Sequence, residues 1–105
     1  MDAQLKKGIP EICVLKVLSN GTSYGYKIIT DLEGLFPIGE STLYPILRRL
    51  ELAGALTTDS QEHNGRLRKY FSITNIGIER LNEAKKDWAE LTEIYAKLFK
   101  KREGK

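Results

Sequence analysis

The sequence predicts a mainly α-helical chain carrying one small β-hairpin, on three observations. Apolar residues recur at helical spacing through most of the 105 residues. The stretch 55–73 switches to the alternation and residue types of strands. An apolar seam at alternating three- and four-residue steps runs down the last third. With 41% hydrophobic and 30% charged residues, the composition is that of a folded globular domain. A chain this long can bury a modest core without disulfides or metal.

The first helix is expected to begin near Ile9–Pro10, since proline suits a first turn, and to end at about Ser19, before the Asn20–Gly21 stop signal. Its "PEICVLKVL" stretch is apolar almost all round, interrupted only by Glu11 and Lys16. Such a helix must be covered on more than one side. "TSYGYKIITDLEGLF" predicts a second helix capped by Thr22 or Ser23, with Ile28, Leu32 and Leu35 inward. "FPIG" breaks it. The third helix lies in "STLYPILRRLELAGAL", where Leu43, Ile46, Leu47 and Leu50 form the buried stripe and Gly54 is the C-terminal stop. "ALTTDS" and "RLRKYFSI" read as strands joined across "QEHNG", whose Asn64–Gly65 pair favours a tight turn. Phe71 and Ile73 alternate inward. Thr74 caps a long fourth helix running to about Lys101.

Three helices followed by a hairpin is the order of a winged helix-turn-helix. The expected layout is a winged unit over 1–73 and a C-terminal dimerisation helix with a basic tail over 74–105, joined as one compact unit. No internal repeat, linker or low-complexity stretch divides them.

Charge placement says more than the net charge of +3. Arg66, Arg68 and Lys69 crowd one strand beside the turn, with no acid in 64–73. Lys97, Lys100, Lys101, Arg102 and Lys105 load the tail against a single Glu103. The lone Cys13 allows no internal disulfide and suits a reducing compartment. The longest strongly apolar run, "ICVL", is far too short to span a bilayer. The start "MDAQLKKGIP" lacks a signal-peptide core, so a cytoplasmic protein is expected.

An enzyme is not expected. One Cys, one His and scattered carboxylates provide no nucleophile–base–orienter set and no metal-ligand spacing. "NGTSYG" lacks the lysine of a phosphate-binding loop. No cofactor or metal is expected. His63, at the turn, reads as a solvated loop residue.

"SYGYKI" at 23–28, "STLYPILRRLELAGAL" at 41–56 and "GRLRKYFSITNIG" at 65–77 resemble the PadR family of transcriptional regulators, in that family's order and spacing. The resemblance spans roughly residues 8–100, and the single helix after the wing resembles the compact branch. Two positions depart from the pattern. Leu67 stands where the family often has proline or a basic residue, and Ala55 where a larger aliphatic is common.

The resemblance implies that 41–53 is a recognition helix and that the chain binds double-stranded DNA, as a dimeric repressor on an inverted repeat. Physics makes the face suitable. Ser41, Tyr44, Pro45 and Arg48 share the stripe opposite the core. Ser41, Thr42 and Tyr44 can bond phosphate or base edges near a helix N-terminus. Arg48 is long enough to reach a phosphate or the O6/N7 pair of guanine. The plainer alternative is a solvated face with Arg48 and Arg49 paired to acids. Arg66, Arg68 and Lys69 suit phosphate contacts or the minor groove. The rival class is a winged-helix protein–protein module without DNA binding, which needs an apolar outer face on 41–53.

Leu81, Ala84, Trp88, Leu91, Tyr95 and Leu98 form the seam of the last helix, which is longer than the body can cover. A homodimer covers it, with Ile9, Ile12 and Cys13 of the first helix available to the partner. Trp88, the only tryptophan, either packs this seam or lines a site for a planar aromatic effector, with small Ala84 leaving room. The resemblance supplies the second reading. Cys13 reads most simply as core.

Overall fold

In the computed structural model, residues 3–100 are described, with side chains from Gly8 onward. The elements are α1 (Ala3–Leu18), β1 (Ser23–Tyr24), α2 (Gly25–Leu32), α3 (Glu40–Leu52), β2 (Leu56–His63), β3 (Arg66–Ile73) and α4 (Asn75–Leu98). The strands form an antiparallel sheet in the order β1-β3-β2.

Helix α1 starts at Ala3 and carries Pro10 inside it, rather than starting at Ile9–Pro10. Proline's fixed φ is already helical, so the backbone can continue past it with one donor missing from the ladder. Val14, Leu15 and Leu18 are almost wholly buried, and Ile9, Ile12 and Val17 are partly buried at the edge of the same core. The nearly all-round apolar surface is thus covered by α2, α3 and α4 together.

Residues 22–25 also differ from the sequence expectation. Neither Thr22 nor Ser23 caps α2. Tyr24 occupies the N-cap position without a side-chain bond, and Ser23–Tyr24 pair with Phe71 and Tyr70 of β3. Thr22 bonds sideways to Ser72, with Oγ1 and Oγ 2.6 Å apart. The strand, not the cap, satisfies this backbone. Ile28 and Leu32 are buried as expected, but Leu35 lies beyond the helix end and is exposed.

Helix α3 follows its sequence pattern closely. Leu43, Ile46, Leu47 and Leu50 are buried. Its end is a Schellman turn: Gly54, at φ +77°, donates to Glu51 O at 3.0 Å, and Ala55 donates to Leu50 O at 2.8 Å. The small Ala55 is fully buried directly after this turn.

The hairpin is longer than its strand-like residues alone suggest, because Gln61, Glu62 and His63 also pair, opposite Arg68, Leu67 and Arg66. Asn64 and Gly65 both take positive φ, 51° and 77°, the signature of a two-residue type I′ turn. Phe71 and Leu56 anchor the base of the hairpin in the core.

Thr74 caps α4, its hydroxyl accepting from Gly77 N–H at 3.2 Å and donating to Gly54 O at 2.6 Å. That bond ties the start of α4 to the end of α3. Helix α4 ends at Leu98, so of the expected tail Lys101, Arg102 and Lys105 lie outside the described residues. Leu81 packs on the core, but exposure then climbs along the seam: Trp88 is 40% exposed, Leu91 55%, Tyr95 63% and Leu98 71%. The 24 residues of α4 extend about 36 Å, roughly half of the longest dimension of a 67 × 25 × 24 Å shape.

Candidate nucleic-acid interface

The buried stripe of α3 fixes which side chains face out. Ser41, Pro45, Arg48 and Leu52 share the opposite stripe and are all exposed. Pro45 lies in the second turn of the helix, where it removes one backbone donor. Arg48 forms no ion pair among the described residues, whereas Arg49, on the flank toward α1, donates from Nε to Glu11 Oε1 at 3.2 Å. Of the two adjacent arginines, one braces the fold and the other faces solvent. A protein–protein module needs an apolar outer face, but on this stripe Pro45 and Leu52 alternate with Ser41 and Arg48 and form no continuous apolar surface.

Two grooves flank the helix. Tyr44 lies on the wing side and shares an open groove of about 630 Å³ with Arg66, Leu67, Arg68 and Lys69 of β3 and with Tyr24 and Tyr26. Ser41, Thr42 and Pro45 lie on the other side, in a groove of about 610 Å³ with Pro10, Phe36 and Arg49. The eight expected contact residues therefore divide. Tyr44 and the three wing cations come together, Ser41, Thr42 and Pro45 form a second group, and Arg48 lines neither groove.

The wing groove has three supports. Gly25 has no Cβ because the Tyr44 ring lies against it; an added methyl would collide with the Tyr44 hydroxyl. Glu51, at the last turn of α3, accepts from Thr58 Oγ1 at 3.0 Å and stands 3.9 Å from Lys69 Nζ. These contacts fix the wing against the helix. Strand alternation then separates the wing cations. Lys69 shares the Phe71 face, toward the body, while Arg66 and Arg68 share the Tyr70 face. Lys69 is partly neutralised by Glu51, and Arg68 instead lies 3.9 Å over the Tyr24 ring.

Sequence reasoning missed Tyr24, Tyr26 and Leu67 as lining of this groove. The available signal was the small Gly25 between two tyrosines, which marks a close approach. Leu67 is 78% exposed, next to the turn.

A third, mostly apolar groove of about 390 Å³ runs between α1 and α4, lined by Ile12, Cys13, Lys16, Leu35, Leu81 and Trp88 among others. Ala84 is not part of its lining, so the room beside Trp88 is made by α1 and Leu35 instead. Cys13 is buried in the chain's own core, and that burial pushes its thiol pKa up. Among the described residues, no group of three or more His, Cys, Asp or Glu side chains is placed to hold a metal, and no helix is long and apolar enough to cross a membrane.

A three-helix body, a two-stranded wing and an exposed polar helix braced beside it define a winged helix-turn-helix protein. The family model of the PadR-like transcriptional regulators matches residues 14–83, and the chain belongs to that family. It is 34% identical to a PadR-like transcription factor from Bacteroides fragilis, with 91% of this chain and 95% of that one covered and a TM-score of 0.82. A PadR-family regulator from Eggerthella lenta is 32% identical over 94% of this chain and 88% of its own, at a TM-score of 0.83. PadR of Bacillus subtilis, solved in complex with operator DNA, shares the fold at a TM-score of 0.68 and 21% identity, over 71% of this chain and 45% of that one.

Proposed function

We propose that this regulator binds double-stranded DNA sequence-specifically, as a homodimer on an inverted-repeat operator, and acts there as a cytoplasmic repressor without catalytic activity. The observation that carries the reading is the exposed Arg48 stripe of α3 beside a wing whose Arg66 and Arg68 carry no carboxylate partner among the described residues. Helix α3 presents Ser41, Thr42, Pro45 and Arg48 to a major groove, while Tyr44 and the wing cations meet the flanking backbone. Repression requires only occupancy of the operator.

The dimer rests on α4. Trp88, Leu91, Tyr95 and Leu98 leave an apolar stripe in water that a second copy can cover. Two copies related by a two-fold axis would place two α3 helices on successive half-sites. The apolar groove beside Trp88, flanked by Lys16 and Lys85, is the place in this fold for a planar aromatic effector that releases the DNA.

Selection from a random-duplex pool tests the reading. Enrichment of an inverted repeat with half-sites about one helical turn (roughly 10 base pairs) apart is the expected result. A pool that stays unenriched at a salt concentration where the protein still binds duplex would overturn sequence-specific recognition.

A further inference from the structure

We propose that Tyr24 is a positioning residue for DNA binding: it holds Arg68 by its ring face, so that the guanidinium edge stays free for a phosphate. The proposal rests on the DNA-binding reading above and adds a role to a residue that faces the wing rather than α3.

Three observations converge on this pair. The guanidinium carbon of Arg68 lies 3.9 Å from the Tyr24 ring centre, the spacing of a close cation–π stack. Tyr24 is itself fixed. It pairs directly opposite Tyr70 in the β1–β3 register, and the two rings meet edge to face with centroids 5.7 Å apart and planes at 75°. The register puts one carboxylate of the hairpin on that face, and it is engaged elsewhere. Asp59, opposite Tyr70 on β2, accepts from Gln61 Nε2 at 3.2 Å, and no ion pair to Arg68 forms among the described residues.

The chemistry explains why a ring serves better here than an acid. A guanidinium has five N–H donors, all in its own plane. A carboxylate would occupy that edge and cancel the charge, as Glu51 does in part for Lys69. A π face attracts the cation through the flat side and leaves every in-plane donor unused. Tyr24 therefore orders a long, rotamer-rich side chain before DNA arrives, while its charge remains available. The strand β1 is only two residues long, and this role accounts for what its outward side chain does.

Ordering such a side chain in advance is worth roughly two- to tenfold in affinity. The test uses the full chain and a labelled mixed-sequence duplex of about three helical turns, with affinity read across a salt series. Arg68→Ala should weaken binding and reduce the log–log salt slope by about 0.9, because one phosphate contact is lost. Tyr24→Leu should weaken binding by roughly two- to tenfold with the slope unchanged, because the charge still arrives but unordered. Tyr24→Phe should match the unchanged protein. In the Arg68→Ala background, Tyr24→Leu should cost nothing further.

An additive loss in that double variant, or full affinity in Tyr24→Leu, overturns the positioning role while leaving DNA binding intact. A Tyr24→Phe loss equal to that of Tyr24→Leu also overturns it, assigning the hydroxyl instead. If Arg68→Ala alone changes neither affinity nor slope, the wing reading itself fails. Arg68→Lys keeps the charge without the planar face and does not depend on Tyr24→Leu folding. Affinity in Arg68→Lys equal to that of the unchanged protein refutes the proposal independently.

Discussion

Gly77→Ala should destabilise the protein, against the usual sign for that substitution. Inside a helix, replacing glycine by alanine ordinarily gains about 0.5–1 kcal/mol by restricting the unfolded chain. Gly77, in the first turn of α4, is a different case. A Cβ there would overlap the Ala55 carbonyl oxygen and lie 2.6 Å from Ile73 Cγ1. Ile73 can rotate away, but the Ala55 carbonyl cannot, because it already accepts Thr74 N–H at 3.0 Å and follows the Schellman turn of α3. Overpacking costs about 1–3 kcal/mol, and a clash with a backbone oxygen held in place falls in the upper half of that range, about 2–3, which leaves a net loss of about 1–2.5 kcal/mol after the propensity gain. For a domain near this size each kcal/mol moves Tm by about 4–8 °C, so a fall of roughly 4–20 °C is expected. Thermal melts followed by circular dichroism, at one fixed protein concentration because a dimer's Tm depends on it, measure the shift. Gly8→Ala is the internal control: Gly8 lies in α1 with no atom within 4 Å of the place a Cβ would take, and the substitution should raise Tm slightly. A Gly77→Ala protein that melts at or above the parent would refute the close approach of α4 to the α3–β2 junction. Since that junction joins the wing to the long helix, it would also unsettle the proposed placement of α3 and the wing in a dimer.

Arg48→Ala should lose roughly 1–3 kcal/mol on selected operator DNA and relax preference at one position per half-site; an equal loss on random duplex would move Arg48 to the backbone. Trp88→Ala should remain dimeric by sedimentation, because Leu91, Tyr95 and Leu98 expose more of themselves than Trp88 does. It should bind planar aromatic compounds about tenfold or more weakly. A monomeric Trp88→Ala, with no quenching of the parent's tryptophan fluorescence by any such compound, would remove the effector site and make Trp88 a packing residue.

Helix α3, the hairpin turn and the Thr74 cap were legible because each is written in local chemistry. A stripe of Leu43, Ile46, Leu47 and Leu50 can only be buried on one side. Asn64 and Gly65 tolerate the positive φ that a two-residue hairpin demands. Thr74 needs only the N–H groups that follow it. The misreadings arose where a distant partner decides the outcome. Thr22 and Ser23 are good caps by composition, yet β3, some fifty residues away, offers the backbone of Ser23 a strand partner in Phe71 and the hydroxyl of Thr22 a partner in Ser72, and these pairings win. Leu35 has helical spacing with Ile28 and Leu32, but α2 stops short of it and turns it toward the Trp88 groove. Pro10 looked like a beginning because its preferred φ is equally at home inside a helix whose missing bond is tolerated.

The interface was legible as a set of residue types and opaque as an arrangement. Arg66, Arg68 and Lys69 are neighbours in the chain, and one basic run suggests one basic surface. Strand alternation turns Lys69 to the opposite face from the two arginines, and the register then gives each face a different environment. Lys69 meets Glu51, which helix α3 supplies, and so joins the bracing of the fold. Arg68 meets Tyr24, which β1 supplies, and keeps its charge. The sequence holds both partners, in "RLE" and in "SYGY", but nothing local says which cation each will meet. Arg68's partner follows from the β1–β3 pairing, and β1 is the element that could not be read from local pattern. The part of the site that the sequence hid is thus the direct consequence of the part of the fold that it hid.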